Sequence, residues 1–193
     1  MPDHVNLTWD SVNYVCTPLV QMGAWAFPVG HEQQYPPEVW YAATLHDLTG
    51  ALNNGYKHSG IDLNLDISPR GDIERRLGLA VYSVSDGYVS YVTDNWYGVP
   101  MLVIHTTHFG QSLYIRYAHI LPVVMLDETV KAGQKLGTFA NWKGNLGGDH
   151  LHLDMCLDPI KRDWLSDKRW IDPVEILKEH LDPNRVDAMI ARN

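Results

Sequence analysis

Residues 80–137 are cut into short apolar runs by turn signals, a spacing that suits strands and leaves little room for helices. Ala80-Val81-Tyr82-Ser83-Val84 leads through Ser85-Asp86-Gly87 into Tyr88-Val89-Ser90-Tyr91-Val92. Runs of β-branched and aromatic residues split by Asp-Gly are the signature of a hairpin. Asn95-Trp96-Tyr97-Gly98 then turns the chain into Met101-Leu102-Val103-Ile104-His105, and Phe109-Gly110-Gln111 turns it into residues 112–120. Residues 130–137, rich in small side chains, read as strand, turn and strand. Short strands at this spacing predict an all-β sandwich or barrel.

Two flanking stretches carry the chemistry. The first is Lys57-His58-Ser59-Gly60-Ile61-Asp62 and the second Gly147-Gly148-Asp149-His150-Leu151-His152-Leu153-Asp154. Alternate side chains of a strand share a face. His58, Gly60 and Asp62 then line one face with Ile61 and Leu63 behind, and His150, His152 and Asp154 line another with Leu151, Leu153 and Met155 behind. Zinc takes imidazole nitrogen and carboxylate oxygen at about 2.0–2.2 Å. A lone His-x-His on a strand is usually no metal site. Two such polar faces in one chain make a shared metal a reading to weigh against the bland one. Gly60, without a side chain, is expected to leave room for the metal and for an approaching substrate. Cys156 continues the face of His150, His152 and Asp154 and is kept as a further candidate ligand, although a buried apolar role is commoner for cysteine.

The whole chain bounds the rest. At 193 residues it is expected to form a single domain: an arm over residues 1–50, a β core over 55–157 and a C-terminal helix over 172–182. The net charge of −8, with no Lys/Arg cluster, argues against nucleic acid as a partner. The longest apolar run, 120–126, is interrupted by Pro122 and is far short of a membrane span. The first residues lack the basic and apolar regions of a signal peptide. Cys16 and Cys156 lie too far apart in sequence for a framework of bridges or a Cys-x2-Cys zinc site, and they stand equally as free thiols or one bridge.

The arm is rich in Trp, Tyr and Pro without a clean period, which predicts an irregular segment packed on the core by its aromatics, with a short helix over residues 37–48. Residues 66–78 read as a charged, solvated loop, with a lip over the cleft as the alternative. Asp172-Pro173-Val174-Glu175 has the N-cap, N1 and N3 residues of a helix start, and Pro183 is expected to end that helix, leaving a loose tail.

Taken in order, His-Ser-Gly-Ile-Asp, Val-Tyr-Ser-Val-Ser-Asp-Gly-Tyr-Val, Arg-Tyr-Ala-His-Ile, Val-Lys-Ala-Gly-Gln-Lys-Leu-Gly and Gly-Asp-His-Leu-His-Leu resemble the lysostaphin/LytM-type zinc metallopeptidases over about residues 55–157. The resemblance implies a mainly β fold of the duplicated hybrid motif type, an antiparallel sheet or sandwich with a groove. It implies a zinc endopeptidase acting on peptidoglycan cross-links or bridges. By position it makes His58, Asp62 and His152 the Zn2+ ligands, and sets His119 and His150 beside the metal as catalytic residues. Three protein ligands leave a fourth position open, the pattern of catalytic zinc. The chain departs from the family where Asn141 to Asp149 replace the usual groove-wall residues and where Leu153-Asp154 replaces the usual Phe-Glu.

Three rivals are weighed against this. A wall-binding or activator module would keep zinc without turnover. A sugar phosphotransferase IIA-like phosphocarrier shares a His-x-Gly-Ile-Asp strand, but there the glycine-turn hairpin precedes that strand, and here it follows. A cupin-like barrel would want a further Glu and His soon after His152, and no His follows until His180. With peptidoglycan as substrate, an extracellular, periplasmic or phage-associated site of action is expected.

Overall fold

The computed structural model describes residues 21–22, 24–29, 39–43, 58–66, 79–140, 150–161 and 168–192. The loop at 67–78, Cys16, Trp142 and Asp149 lie outside the described residues.

In chain order the strands are β1 (Gln21–Met22), β2 (Trp25–Ala26), β3 (Val39–Ala43), β4 (Gly60–Asp66), β5 (Ala80–Tyr82), β6 (Gly87–Trp96) and β7 (Val99–His108). They continue with β8 (Gln111–Ala118), β9 (Ile120–Pro122), β10 (Thr129–Val130), β11 (Lys135–Phe139), β12 (Leu151–Cys156) and β13 (Trp170–Ile171). Helices α1 (Pro173–His180) and α2 (Pro183–Met189) precede the last strand, β14 (Ile190–Arg192).

The frame is the meander β6–β7–β8, and its turns explain its register. Trp96 pairs with Val99 and His108 with Gln111, so each loop has two residues. Those residues are left-handed: Tyr97 (φ 54°) with Gly98 (φ 89°), and Phe109 (φ 44°) with Gly110 (φ 77°). Positive φ at both central positions is the type I′ turn, whose twist matches that of paired strands. The large sheet runs β10-β6-β7-β8-β12-β4-β3-β14, with β13 on the far end of β12. Its pairings are antiparallel except for β14 on β3. A smaller sheet, β5-β11-β9, faces it. One apolar cluster joins the two, with Ile61, Leu102, Ile104, Ile115 and Leu153 from the large sheet and Val81, Ile120, Leu136 and Phe139 from the small one. Trp25 and Phe27 pack into the same cluster, so the described part of the arm docks by its aromatics as expected. Among the described residues no helix is long and apolar enough to cross a membrane.

The structure corrects three local expectations. Residues 80–92 do not form a hairpin: β5 pairs with β11 in the small sheet, and β6 pairs with β7 and β10 in the large one. Asp86 turns away from a hairpin loop and holds the β10–β11 connection instead, accepting from the Lys131 ammonium at 2.8 Å and the Ala132 N–H at 2.9 Å. Residues 130–137 are strand, turn and strand as expected, and the turn passes between sheets, since β10 belongs to the large one and β11 to the small one. In place of a helix over 37–48, Val39–Ala43 is a strand, because Val-Trp-Tyr suits a pleated surface and β4 offers a backbone edge to pair. Finally, Pro183 ends α1 but opens α2.

Both helices are capped alike. Asp172 Oδ1 accepts the Val174 N–H at 2.9 Å, and Asp182 Oδ1 accepts the Asn184 N–H at 3.0 Å, each with Pro at the first helical position. The buried side chains Val174, Ile176 and Leu177 of α1 and Val186 of α2 fasten this tail to the core. At about 1.5–3 kcal/mol for each fully buried aliphatic, that burial outweighs the polarity of the last residues.

Candidate metal centre

β12 lies between β8 and β4, and its register sets His152 opposite Asp62 on one side and Ala118 on the other. Leu151, Leu153 and Met155 point into the main core while His152, Asp154 and Cys156 face the other way, the alternation read from the sequence. His58 precedes β4 and its ring meets that of His152 edge to face, with centroids 4.7 Å apart.

Three atoms from three side chains converge. His58 Nε2 is 3.1 Å from Asp62 Oδ1 and 3.0 Å from His152 Nδ1, and His152 Nδ1 is 2.9 Å from Asp62 Oδ1. Three atoms this close together lie within reach of a single zinc, whose bonds are about 2.0–2.2 Å. The site is enclosed: His58 and His152 are buried, and Asp62 keeps 32% of its side chain exposed. His58 Nδ1 is buried without a hydrogen-bond partner. The donor set of two imidazoles and one carboxylate therefore fits a borderline divalent metal, and it is one of two such groups among the described residues.

The other side of His152 explains its orientation. Its Nε2 donates to Asp154 Oδ2 at 2.9 Å, and a carboxylate only accepts, so Nδ1 is the nitrogen left for a metal. Asp154 is fully buried and also accepts from Ser59 Oγ at 2.8 Å and from the Arg116 guanidinium. Arg116, equally buried, is sandwiched by Trp96 and Trp170, 4.8 and 5.3 Å from the ring centres. Burial by itself would raise the Asp154 pKa, but Arg116 and His152 outweigh it and hold the carboxyl below its usual range. Burial likewise pulls His152 down, while its hydrogen bonds to Asp154 and Asp62 push it up to about 9. Asp62 is held well below the usual carboxylate range, because His150, His152 and His58 overcome the effect of burial.

His119 and His150 stand beside the triangle. Their rings meet with centroids 4.6 Å apart, His150 Nε2 is 3.6 Å from Asp62 Oδ1, and the His119 ring is 6.3 Å from that of His152. Burial, with His150 and His152 alongside, holds the His119 pKa well below its usual value, so the ring is neutral.

His119 does not continue the face of Ile115 and Tyr117, where plain strand alternation would put it. Those two lie in the main core, β8 ends at Ala118, and His119 is left-handed at φ 63°. This bend throws the ring toward Trp96, 5.4 Å away, and so toward the site. A non-glycine residue held there costs energy and is often found where function requires it.

Two further expectations are revised. The space opposite Gly60 holds β12 itself: a Cβ there would stand 2.1 Å from the Leu153 carbonyl oxygen and 2.5 Å from Asp154 Cβ. Gly60 thus makes room for the Asp154 side chain rather than for metal or substrate. Cys156 is not among the convergent donors. It is buried with Trp96, Met101 and Ala118, and its Sγ accepts the Asp158 N–H at 3.3 Å. The residues missed by the sequence reading are Ser59, Trp96, Arg116 and Trp170. A signal for Arg116 was present: a single charge inside the apolar run 112–118 must find a counter-charge when buried.

The model of peptidase family M23 matches residues 56–163, more than half of the chain, and spans every residue of the triangle. The chain belongs to peptidase family M23. Solved structures share the M23 fold at low identity. A putative glycyl-glycine endopeptidase lytM from Ruminococcus gnavus is 19% identical with a TM-score of 0.52, over 88% of this chain and 63% of that one. The antimicrobial peptidase lysostaphin from Staphylococcus simulans is 17% identical with a TM-score of 0.51, over 76% of this chain and 55% of that one. The protein cbpa from L. salivarius REN is 17% identical with a TM-score of 0.50, over 81% and 96%. The chain spans less than two thirds of the length of the first two. No curated protein matches it.

Proposed function

We propose that this M23 chain is a zinc-dependent endopeptidase that hydrolyses peptide bonds in peptidoglycan cross-links or bridges. The observation that carries the reading is the triangle of His58 Nε2, Asp62 Oδ1 and His152 Nδ1, closed to 2.9–3.1 Å with two further histidines beside it. Zinc held there by His58, Asp62 and His152 would lower the pKa of a water to about 7 and polarise the scissile carbonyl.

The chain's own residues do the rest. Asp154 fixes the tautomer of His152 and so keeps Nδ1 turned to the ligand point. Asp62 stays ionised at neutral pH and contributes the negative charge of the set. His150 Nε2, next to Asp62, exchanges the proton of the attacking water. His119, neutral and buried, donates its N–H to the developing oxyanion, and the proton taken up by His150 passes to the leaving amine. Peptidoglycan as the substrate sets the work at the cell wall, on its extracellular or periplasmic side or from a phage.

Mass spectrometry of muropeptides, after incubating walls of several cross-bridge types with the zinc-loaded protein, tests this. The expected result is a new pair of peptide ends from at least one wall type, abolished by a chelator and restored by zinc. Walls that retain the protein but yield no new ends would replace the endopeptidase with a binding module.

A further inference from the structure

At the far end of β7 from the triangle, a second group of donors is left over. Met101 is level with Ala118 and, through it, with His152, whereas His108 closes the strand at the other end. Seven residues of strand separate the two points, roughly 23 Å. His108 Nδ1 lies 3.1 Å from His180 Nε2, and His108 Nε2 lies 3.4 Å from Glu179 Oε2. His108, Glu179 and His180 each bring one donor atom within 4.8 Å of the other two.

We propose that His108, Glu179 and His180 form a second divalent-metal site, suited to Zn2+, that clips the end of helix α1 to the tip of the β7–β8 hairpin. The donor set of two imidazoles and one carboxylate is again that of a borderline metal. A metal replaces the single proton that two facing imidazole nitrogens otherwise share. His180 is already held in position: the Trp25 ring stacks on it at 3.9 Å with an interplanar angle of 2°. The His108 ring meets that of Phe109, ring centres 4.4 Å apart. His180 is the last residue of α1, and the C-terminal end of a helix favours a cation. Glu179 is half exposed and faces His108 Nε2, so its carboxylate must turn to join Nδ1 and His180 on one ion, which makes this site weaker than the enclosed triangle. A clip between residues 72 positions apart removes a large loop's worth of freedom from the unfolded chain. The site stands whether or not the protein cleaves peptidoglycan.

The test is zinc stoichiometry by calorimetric titration of the chelator-dialysed full chain with ZnCl2, with thermal melts alongside. Wild type is expected to bind two equivalents, the weaker one lost in His108→Gln and in His180→Gln with the tighter one kept. His58→Ala should bind one, and that zinc should raise its melting temperature, an effect absent in His58→Ala/His108→Gln. A single equivalent in wild type, unchanged by His108→Gln, overturns the proposal. So does a second equivalent that survives both glutamine variants. If His58→Ala does not fold, the comparison of wild type with His108→Gln decides alone. Wall cleavage by His108→Gln is expected to equal that of wild type, so failure of this site and failure of the endopeptidase reading give different results.

Discussion

Arg116 and Asp154 form an ion pair that water does not reach, directly behind His152. Both side chains are fully buried, and the same carboxylate fixes the ring that faces the metal point. Stability and metal binding therefore depend on one group for different reasons. Asp154→Ala leaves the Arg116 charge buried without its carboxylate, a loss of about 3–5 kcal/mol, which lowers the melting temperature by on the order of 10 °C. Arg116→Met/Asp154→Leu removes both charges and should recover most of that. Zinc affinity should fall by roughly 10–100-fold in both variants, since His152 has lost its partner in each. Equal zinc affinity in wild type and the double variant would show that the pair serves stability alone.

The triangle makes a stricter demand on its own members. His58→Ala, Asp62→Ala and His152→Ala should each abolish stoichiometric zinc at the tight site, measured by elemental analysis after dialysis against a weak chelator. Full zinc in any one of them removes that residue from the ligand set.

His119→Ala and His150→Ala should keep that zinc while wall hydrolysis falls by about 10²–10⁴-fold, the usual scale of general acid–base assistance. The left-handed backbone at His119 adds a second comparison. His119→Gly should be as slow as His119→Ala but more stable, because glycine adopts positive φ at little cost. Equal melting temperatures for the two would mean that the bend relaxes once the ring is gone.

For the metal-free protein, pH acts through opposite shifts. His152 rises from its usual 6.5 to about 9, so its contribution is whole below 6.5 and is lost as pH climbs through about 9. Asp62 and Asp154 are lowered, so theirs is whole above the ordinary carboxylate range and is lost as pH falls below it. Melts of chelated protein should therefore be higher at pH 6 than at pH 9. Zinc must displace the His152 proton, so zinc affinity should rise with pH toward 9. A flat melting temperature between pH 6 and 9 would contradict the ion pairs drawn around His152.

What could be read from the sequence was whatever depends on near neighbours. The alternation around His150 and His152 reveals their shared face, and Gly98 and Gly110 mark the two-residue turns of the meander. The sheet that each strand joins was not legible. Asp86-Gly87 carries the local signature of a hairpin, yet Asp86 is engaged by Lys131 and Ala132 from a distant turn, and the chain crosses between sheets there. Val39–Ala43 is a strand because β4 has an edge to offer, a fact that no window around residue 40 contains. The Arg116–Asp154 pair spans 38 positions, and its members are recognisable only once β8 and β12 lie side by side. His119 was found by resemblance and could not have been placed by alternation, because one left-handed residue resets it.

The place of β12 in the sheet sets an order of events during synthesis. It lies inside, between β8 and β4, yet it leaves the ribosome after both. β4 is complete by Asp66 and β8 by Ala118, and until Leu151 emerges each keeps an edge of backbone N–H and C=O groups open to any passing strand. The nascent chain must carry one adhesive edge from residue 66 and a second from residue 118 until residue 151, and a denatured chain must bring distant segments together before either edge is satisfied. If the triangle takes zinc as proposed, its capture and the sealing of the sheet fall to the same late strand, so a chain halted before residue 151 has neither a complete ligand set nor a closed edge.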